Sequence, residues 1–271
     1  VTAGTPIHHG YRAPERRVLT AVEFDVLWEW LGLGATPVVL QLDSPGRTHS
    51  QRRDIINAGW HGLRERGLAD HSGPDPEIVR LMHLLAAPAQ QVELRLRSGH
   101  DLRAVGAGQS TATALAVRQD ATVALSAATQ PIDAALSALP PLPPGAGRSV
   151  TLPSADLDAA SSSADAGLPL AEALRDRGVD PGDAELVQAI LGGITGRGQL
   201  SVLAADRWGM LHRLGKVVGV LDTRHGRYTI QRAAAPGSSV EWTTLAPTDA
   251  HRLRFRVDEL LTETMDRANR V

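Results

Sequence analysis

Between Gln91 and Ala128 the chain alternates apolar and polar residues in four short runs broken by turn chemistry, and nothing else in it limits the possible folds so strongly. Val92, Leu94 and Leu96 alternate with Glu93, Arg95 and Arg97, which puts the two sets on opposite faces of a strand. Ser98-Gly99-His100 supplies a turn, Leu102 to Ala107 reads as the partner strand, and Thr111 to Val117 and Val123 to Ala127 complete an antiparallel meander. A weaker copy follows from Gln199 to Gln231. Such a meander has one face that needs a core and two edges that need cover.

The apolar-periodic segments around these meanders predict helices. Thr20 and Glu23 form a capping-box pattern for a helix carrying Val22, Leu27, Trp28 and Leu31, which Gly32 ends. Thr48 and Gln51 repeat the pattern for a helix with Ile55, Ile56, Trp60 and Leu63 on one side, and Asp75-Pro76 opens a third with Ile78, Val79, Met82 and Leu85 buried. Pro37 to Leu42 reads as a short apolar strand between the first two. After a short helix from Pro131 to Leu139 comes Pro140-Pro141-Leu142-Pro143-Pro144-Gly145, which cannot continue a helix or form a central strand.

Strand, helices and meander then recur. Ser149 to Leu152 is the strand, and Ser154 to Ala164, Leu170 to Arg177 and a helix from Asp180-Pro181 carrying Leu186, Val187, Ile190, Leu191 and Ile194 follow. Strands are expected at 199–205, 216–221, 227–231 and 240–245, and Thr248 is placed to cap a last helix with Leu253, Val257, Leu260, Leu261 and Thr264 on one face. The expected architecture is α+β and pseudo-two-fold, two helix-plus-meander halves sharing a central sheet flanked by helical bundles. Residues 1–139 form the N-terminal half, 140–148 a Pro-rich linker and 149–271 the C-terminal half.

Chemistry is sparse. Basic and acidic residues number 28 and 30, so no overall field draws the chain to nucleic acid or an anionic membrane. The absence of cysteine excludes disulfides, thiolate metal sites and a cysteine nucleophile, and fits a reducing compartment, with the cytoplasm the expected location. Residues 1–14 lack the apolar run of a signal or anchor and read as a loose arm, and the longest apolar patches are too short to enter a membrane, so a soluble chain is expected. Lys216 is the sole lysine and lacks a phosphate-loop frame. The glycines from Gly192 to Gly198 lie between a helix and a strand, the reverse of a phosphate-binding turn. Gly108-Gln109-Ser110-Thr111-Ala112 resembles a nucleophile elbow but falls at a hairpin. The histidines show no metal-ligand spacing, and no carboxylate pair stands out for acid–base work. No catalytic, cofactor-binding or metal residue is therefore assigned. Arg252, Arg254 and Arg256 read as an internally paired helix face, given Asp258, Glu259 and Glu263 beyond them. The most unusual local cluster is Trp208, Met210 and Leu211 beside Asp206, Arg207 and Arg213, which reads either as a loop folded on its own core or as a partner-binding patch.

Several stretches, taken in order, resemble the EspG family of chaperones of mycobacterial ESX (type VII) secretion. They are Leu19 to Leu27, Leu81 to Pro88 running into Val92-Glu93-Leu94, Leu174 to Val179, and Val220-Leu221-Asp222 through Gly226-Arg227-Tyr228 to Val240-Glu241-Trp242, closed by Ala246-Pro247-Thr248. The resemblance implies a cytosolic protein without enzymatic activity that binds PE/PPE heterodimers through the tip of the PPE protein, covers that apolar end and keeps the pair soluble until secretion. On this sequence the implied partner surface is Trp208, Met210, Leu211, Val218, Val220, Trp242 and Phe255. The competing class is a small-molecule-binding or hydrolytic enzyme with its site assembled on the central sheet, which a pocket of convergent polar groups would mark. A nucleic-acid-binding module is disfavoured by the scarcity of aromatics and the near-neutral charge.

Overall fold

The computed structural model describes residues 15–109, 111–165, 167–234 and 237–270; the arm expected at 1–14 lies outside them. Local chemistry sets the first helix. Thr20 Oγ1 accepts from Glu23 N at 3.1 Å while Glu23 Oε2 accepts from Thr20 N at 2.7 Å, closing the capping box at the junction of β1 (Arg17–Thr20) and α1 (Ala21–Trp30). α2 (His49–Glu65) and α3 (Pro76–Ala86) start at Thr48 and Asp75, as their cap residues imply. Val22 faces solvent instead of joining the core, whereas Phe24, Leu27 and Trp28 are buried.

Pro37 to Leu42 is not a strand. It forms a 3₁₀ turn, Val38–Leu40, ended by Gln41 at φ 45°. Two guanidinium groups from the sheet hold it there: Arg103 donates to the Val39 carbonyl at 3.1 Å and Arg118 to that of Leu40 at 2.6 Å. Carbonyls freed at a helical C-terminus favour cations, and these two are satisfied from another element.

The first meander is β2 (Gln90–Ser98), β3 (His100–Gln109), β4 (Ala112–Gln119) and β5 (Thr122–Ala128), followed by α4 (Pro131–Ser137). The second half supplies β6 (Val150–Pro153), α5 (Ser154–Asp165), α6 (Leu170–Arg175) and α7 (Pro181–Gly192). It continues with β7 (Ile194–Ala205), the two-residue β8 (Leu211–His212), β9 (Val218–Thr223), β10 (Gly226–Ala234), β11 (Glu241–Pro247) and α8 (Ala250–Ala268). Ile194 opens β7 instead of extending α7, and a bulge between Ile194 and Gly196 marks the entry. α8 is capped one residue later than expected: Thr248 is buried, and Asp249 accepts from Arg252 N at 2.9 Å.

Among the described residues all strands join one antiparallel sheet in the order β1-β5-β4-β3-β2-β7-β9-β10-β11-β6, with β8 paired to β7. Counted from its own outer edge, each half has the same strand order, and each reads strand, three helices, meander, helix. The halves meet at β2 and β7, whose register sets Glu93 opposite Ser201, Arg95 opposite Gln199 and Arg97 opposite Arg197.

Following the alternation across the sheet shows which face each bundle covers. α1 to α3 cover Val105, Ala107, Ala116 and Leu125, while α5 to α7 cover Leu221, Tyr228 and Leu245 on the same face. α4 and α8 cover the opposite face over Val92, Leu94, Leu200, Val202, Val218 and Val220. The Pro-rich segment is docked, not free. Arg227 N donates to Pro143 O at 2.8 Å, Gly145 N to Arg227 O at 2.9 Å and Tyr228 Oη to Ala146 O at 2.7 Å. Beneath it Arg227 and Asp222 form a buried two-point ion pair at 2.6 and 3.0 Å.

Candidate functional site

Beyond Ala205 the chain turns back on itself around one carboxylate. Asp206 Oδ1 accepts from Trp208 N at 2.8 Å and Met210 N at 3.0 Å, and its Oδ2 lies 2.8 Å from His212 Nε2. The backbone closes the same loop, Asp206 N donating to Met210 O at 3.0 Å, and Gly209 supplies the φ of 82° that the turn requires. The bond with His212, followed by the two backbone N–H bonds, holds the Asp206 carboxyl below its ordinary range. The polar groups of the turn are thus satisfied internally.

Its apolar side chains face the other way. Trp208 and Met210 are 62% and 65% exposed, Leu211 is 37% exposed, and the Arg207 guanidinium lies 3.8 Å from the centre of the Trp208 ring. Behind the turn, Arg213 reaches over the sheet to Glu93, which also accepts from Gln91 Nε2 at 2.9 Å and Ser201 Oγ at 3.1 Å. A buried carboxylate at the junction of the halves therefore anchors the loop that carries Trp208 and Met210.

The other expected contact residues divide. Trp242 is 40% exposed on β11; its neighbour Thr243 is buried against Ser154, so the indole projects from the opposite face of the sheet. Phe255 is 58% exposed on the outer side of α8, between the buried Leu253 and Val257. Val218 and Val220 are 1% and 0% exposed beneath α8, so they belong to the core and cannot touch a partner in this fold. Sequence reasoning also missed a second aromatic surface. Trp30 is more than half exposed, packs edge-on to Trp60 with ring centres 5.5 Å apart, and Arg64 lies over Trp60. A tryptophan at the last position of a capped helix, beyond its buried stripe, was the available signal.

The arginines of α8 do pair, though one pairs beyond its helix: Arg256 meets Glu259, while Arg254 reaches Asp133 on α4. Gln109 and Ala112 pair across the β3–β4 hairpin, so the elbow-like stretch makes no strand-to-helix turn; Ser110 lies outside the described residues. A cleft of about 840 Å³ beside α4 is lined by Leu115, Val117, Ser126, Asp133 and Ser137. Asp133 is engaged by Arg254, Ser137 Oγ donates to Ala134 O at 2.7 Å, and no histidine lines the cleft. Among the described residues no three His, Asp or Glu gather as metal ligands.

A profile of the EspG family matches residues 20–259, from the cap of α1 to the middle of α8. This chain belongs to the EspG family. A relative in Mycolicibacterium smegmatis, the ESX-3 secretion-associated protein EspG3, is 31% identical over 261 residues, covering 91% of this chain and 86% of that protein. The same α+β fold occurs in Mycobacterium tuberculosis EspG5, a type VII secretion system chaperone solved in complex with a PE25-PPE41 dimer. The two superpose with a TM-score of 0.69 at 15% identity, over 93% of this chain and 97% of that one. Family membership thus holds over nearly the whole EspG-like sheet, while at 15% identity the solved structure speaks for the fold alone. Among the described residues no helix is long and apolar enough to cross a membrane.

Proposed function

We propose that this EspG-family protein is a chaperone of ESX (type VII) secretion that binds a PE/PPE heterodimer in the cytoplasm, covers the apolar tip of the PPE protein and keeps the pair soluble. The observation that carries the reading is the family match from residue 20 to 259. It is supported by the fold shared with EspG5, a chaperone solved with a PE–PPE dimer. It is supported too by the exposed Trp208–Met210 turn, whose backbone is fixed before any partner arrives. A rigid turn loses little conformational freedom on docking, and each Å² of apolar surface it covers contributes about 25 cal/mol before association costs. Trp208, Met210 and Leu211 form the centre of the proposed surface, with Trp242 and Phe255 as outlying contacts.

The reading includes a molecule in two pseudo-symmetric halves, 1–139 and 149–271, related by a two-fold axis through the β2–β7 pair and joined by 140–148. It includes no catalytic role. The test is co-expression with candidate PE/PPE pairs from the source organism, capture through the PPE protein and size exclusion. A stoichiometric three-protein complex is the expected result. A folded chain that captures no pair, while the pair stays soluble without it, overturns the reading.

A further inference from the structure

A second surface lies where the halves meet, on the sheet face that carries the two three-helix bundles. Register fixes a small grid of side chains there. One row across β4, β3, β2 and β7 is Arg118, Arg103, Arg95 and Gln199; the next, across β3, β2, β7 and β9, is Asp101, Arg97, Arg197 and Leu221. Directly opposed residues of an antiparallel pair share a face and stand roughly 5 Å apart.

Two of these arginines are committed to the fold. Arg118 and Arg103 hold the carbonyls of the 3₁₀ turn, and Arg103 Nε also takes the Asp101 carboxylate at 2.8 Å. Arg95, Arg97 and Arg197 make no ion pair or side-chain hydrogen bond among the described residues. They rim a shallow cleft of about 360 Å³ floored by Gly198 and Gln199, with Arg97 and Arg197 exposed and Arg95 half-buried; Asp101, the one carboxylate on the rim, is the one taken by Arg103. Like charges set directly opposite each other destabilise a ladder, so this pair works against the seam it sits on. Among the described residues the cleft therefore holds three guanidinium groups without an ion-pair partner against one carboxylate that is already paired.

We propose that this strip docks a carboxylate-bearing segment of the protein partner. Guanidinium groups match carboxylates by two-point hydrogen bonding, and a flat, open cleft admits an extended acidic segment across β2 and β7. Nucleic acid is the poorer occupant: no aromatic side chain lines the cleft, and the basic patch spans only two ladder rows before Leu221 and Gly219 follow on β9. The strip lies apart from the Trp208 turn, so it adds an electrostatic contact that bridges both halves. It rests on the proposed chaperone role only in that the partner is a protein.

The test needs no PE or PPE protein. Fluorescence anisotropy with a labelled oligoglutamate peptide at low ionic strength is expected to show binding that weakens as salt is raised. Arg197→Glu sets a carboxylate opposite Arg97; it is expected to weaken oligoglutamate binding by at least about tenfold while melting no lower than the wild type. Trp208→Ala is expected to bind the peptide as the wild type does. The inference is overturned if the wild type fails to bind, if Arg197→Glu binds unchanged, or if oligothymidylate or inorganic phosphate competes as well as oligoglutamate. A failed PE/PPE co-purification beside an intact oligoglutamate isotherm would refute the chaperone reading alone. The converse result would refute the strip alone.

Discussion

Met210 lies in the turn before β8 and Val220 on β9 soon after it, one exposed and one buried, so a single substitution type separates folding from recognition. Val220→Asp removes a fully buried side chain worth about 1.5–2 kcal/mol of apolar transfer. It also places a carboxylate beneath α8 with no cation offered, a cost of several further kcal/mol. Against a total stability of about 5–15 kcal/mol, that sum unfolds the protein or leaves it marginal. Met210→Asp changes an exposed side chain and is expected to alter stability by about 0.5 kcal/mol or less. Its effect, and that of Trp208→Ala, belongs to the complex. Trp208 has 62% of its surface available for burial, which at about 25 cal/mol per Å² gives an upper limit near 4 kcal/mol. A loss of about 2 kcal/mol, roughly thirtyfold in Kd, is expected from Trp208→Ala. Thermal melts by circular dichroism and titration of the PE/PPE pair read the two effects separately. The reasoning is refuted if Val220→Asp melts with the wild type, or if Met210→Asp and Trp208→Ala both fold normally and bind the pair unchanged.

Three further outcomes are expected. Asp222→Asn leaves the buried Arg227 without its counter-charge and should cost about 3–5 kcal/mol in denaturant unfolding, whereas replacing both by apolar residues of similar volume should cost far less; equal losses would show that the pair is not the source. A Cβ on Gly145 would lie 2.0 Å from the ring of Tyr228, itself buried and tied to Ala146, so Gly145→Val should lower the denaturation midpoint by about 1–3 kcal/mol equivalent and speed proteolysis between 140 and 148; a silent substitution would mean that the segment is not docked. Because the Asp206 pKa is lowered on folding, its contribution is present above about pH 4 and is lost as pH falls through the folded value. The difference in melting temperature between wild type and Asp206→Asn should therefore shrink on acidification to about pH 3, and a difference constant over that range would refute the role assigned to the carboxylate.

Much of this was legible where the cause is local. The boundaries at Thr20, Thr48, Asp75 and Asp180 follow from side chains that cap their own helices, and the alternation of Val92, Leu94 and Leu96 follows from the geometry of one strand. What escaped depends on residues far away in sequence. Nothing in Pro37 to Leu42 announces that Arg103 and Arg118 will hold its carbonyls. The alternation in β9 gave the correct period but not the cover, because both faces of that strand are buried: Val218 and Val220 lie under α8, and Leu221 faces α5 to α7. At the candidate site, Trp208 and Met210 were marked by their polar neighbours, while Trp30 and the Arg97–Arg197 pair became visible only through tertiary contacts and register. Proline rings likewise excluded regular structure from 140 to 148 without disclosing that the segment lies along β10.

The ladder between β2 and β7 also imposes an order of events on synthesis. Glu93 and Ser201 are 108 residues apart, so β2 leaves the ribosome long before the strand that completes it. At about 5–20 residues per second, roughly 5–20 s separate the synthesis of these two residues, and through that interval the backbone N–H and C=O groups of β2 stay unmatched along one side. In that interval the nascent half presents the kind of bare strand edge that recruits other chains. A molecule proposed to shield its clients from association therefore passes through an unshielded stage of its own, and crowded polysomes are where that stage would be felt.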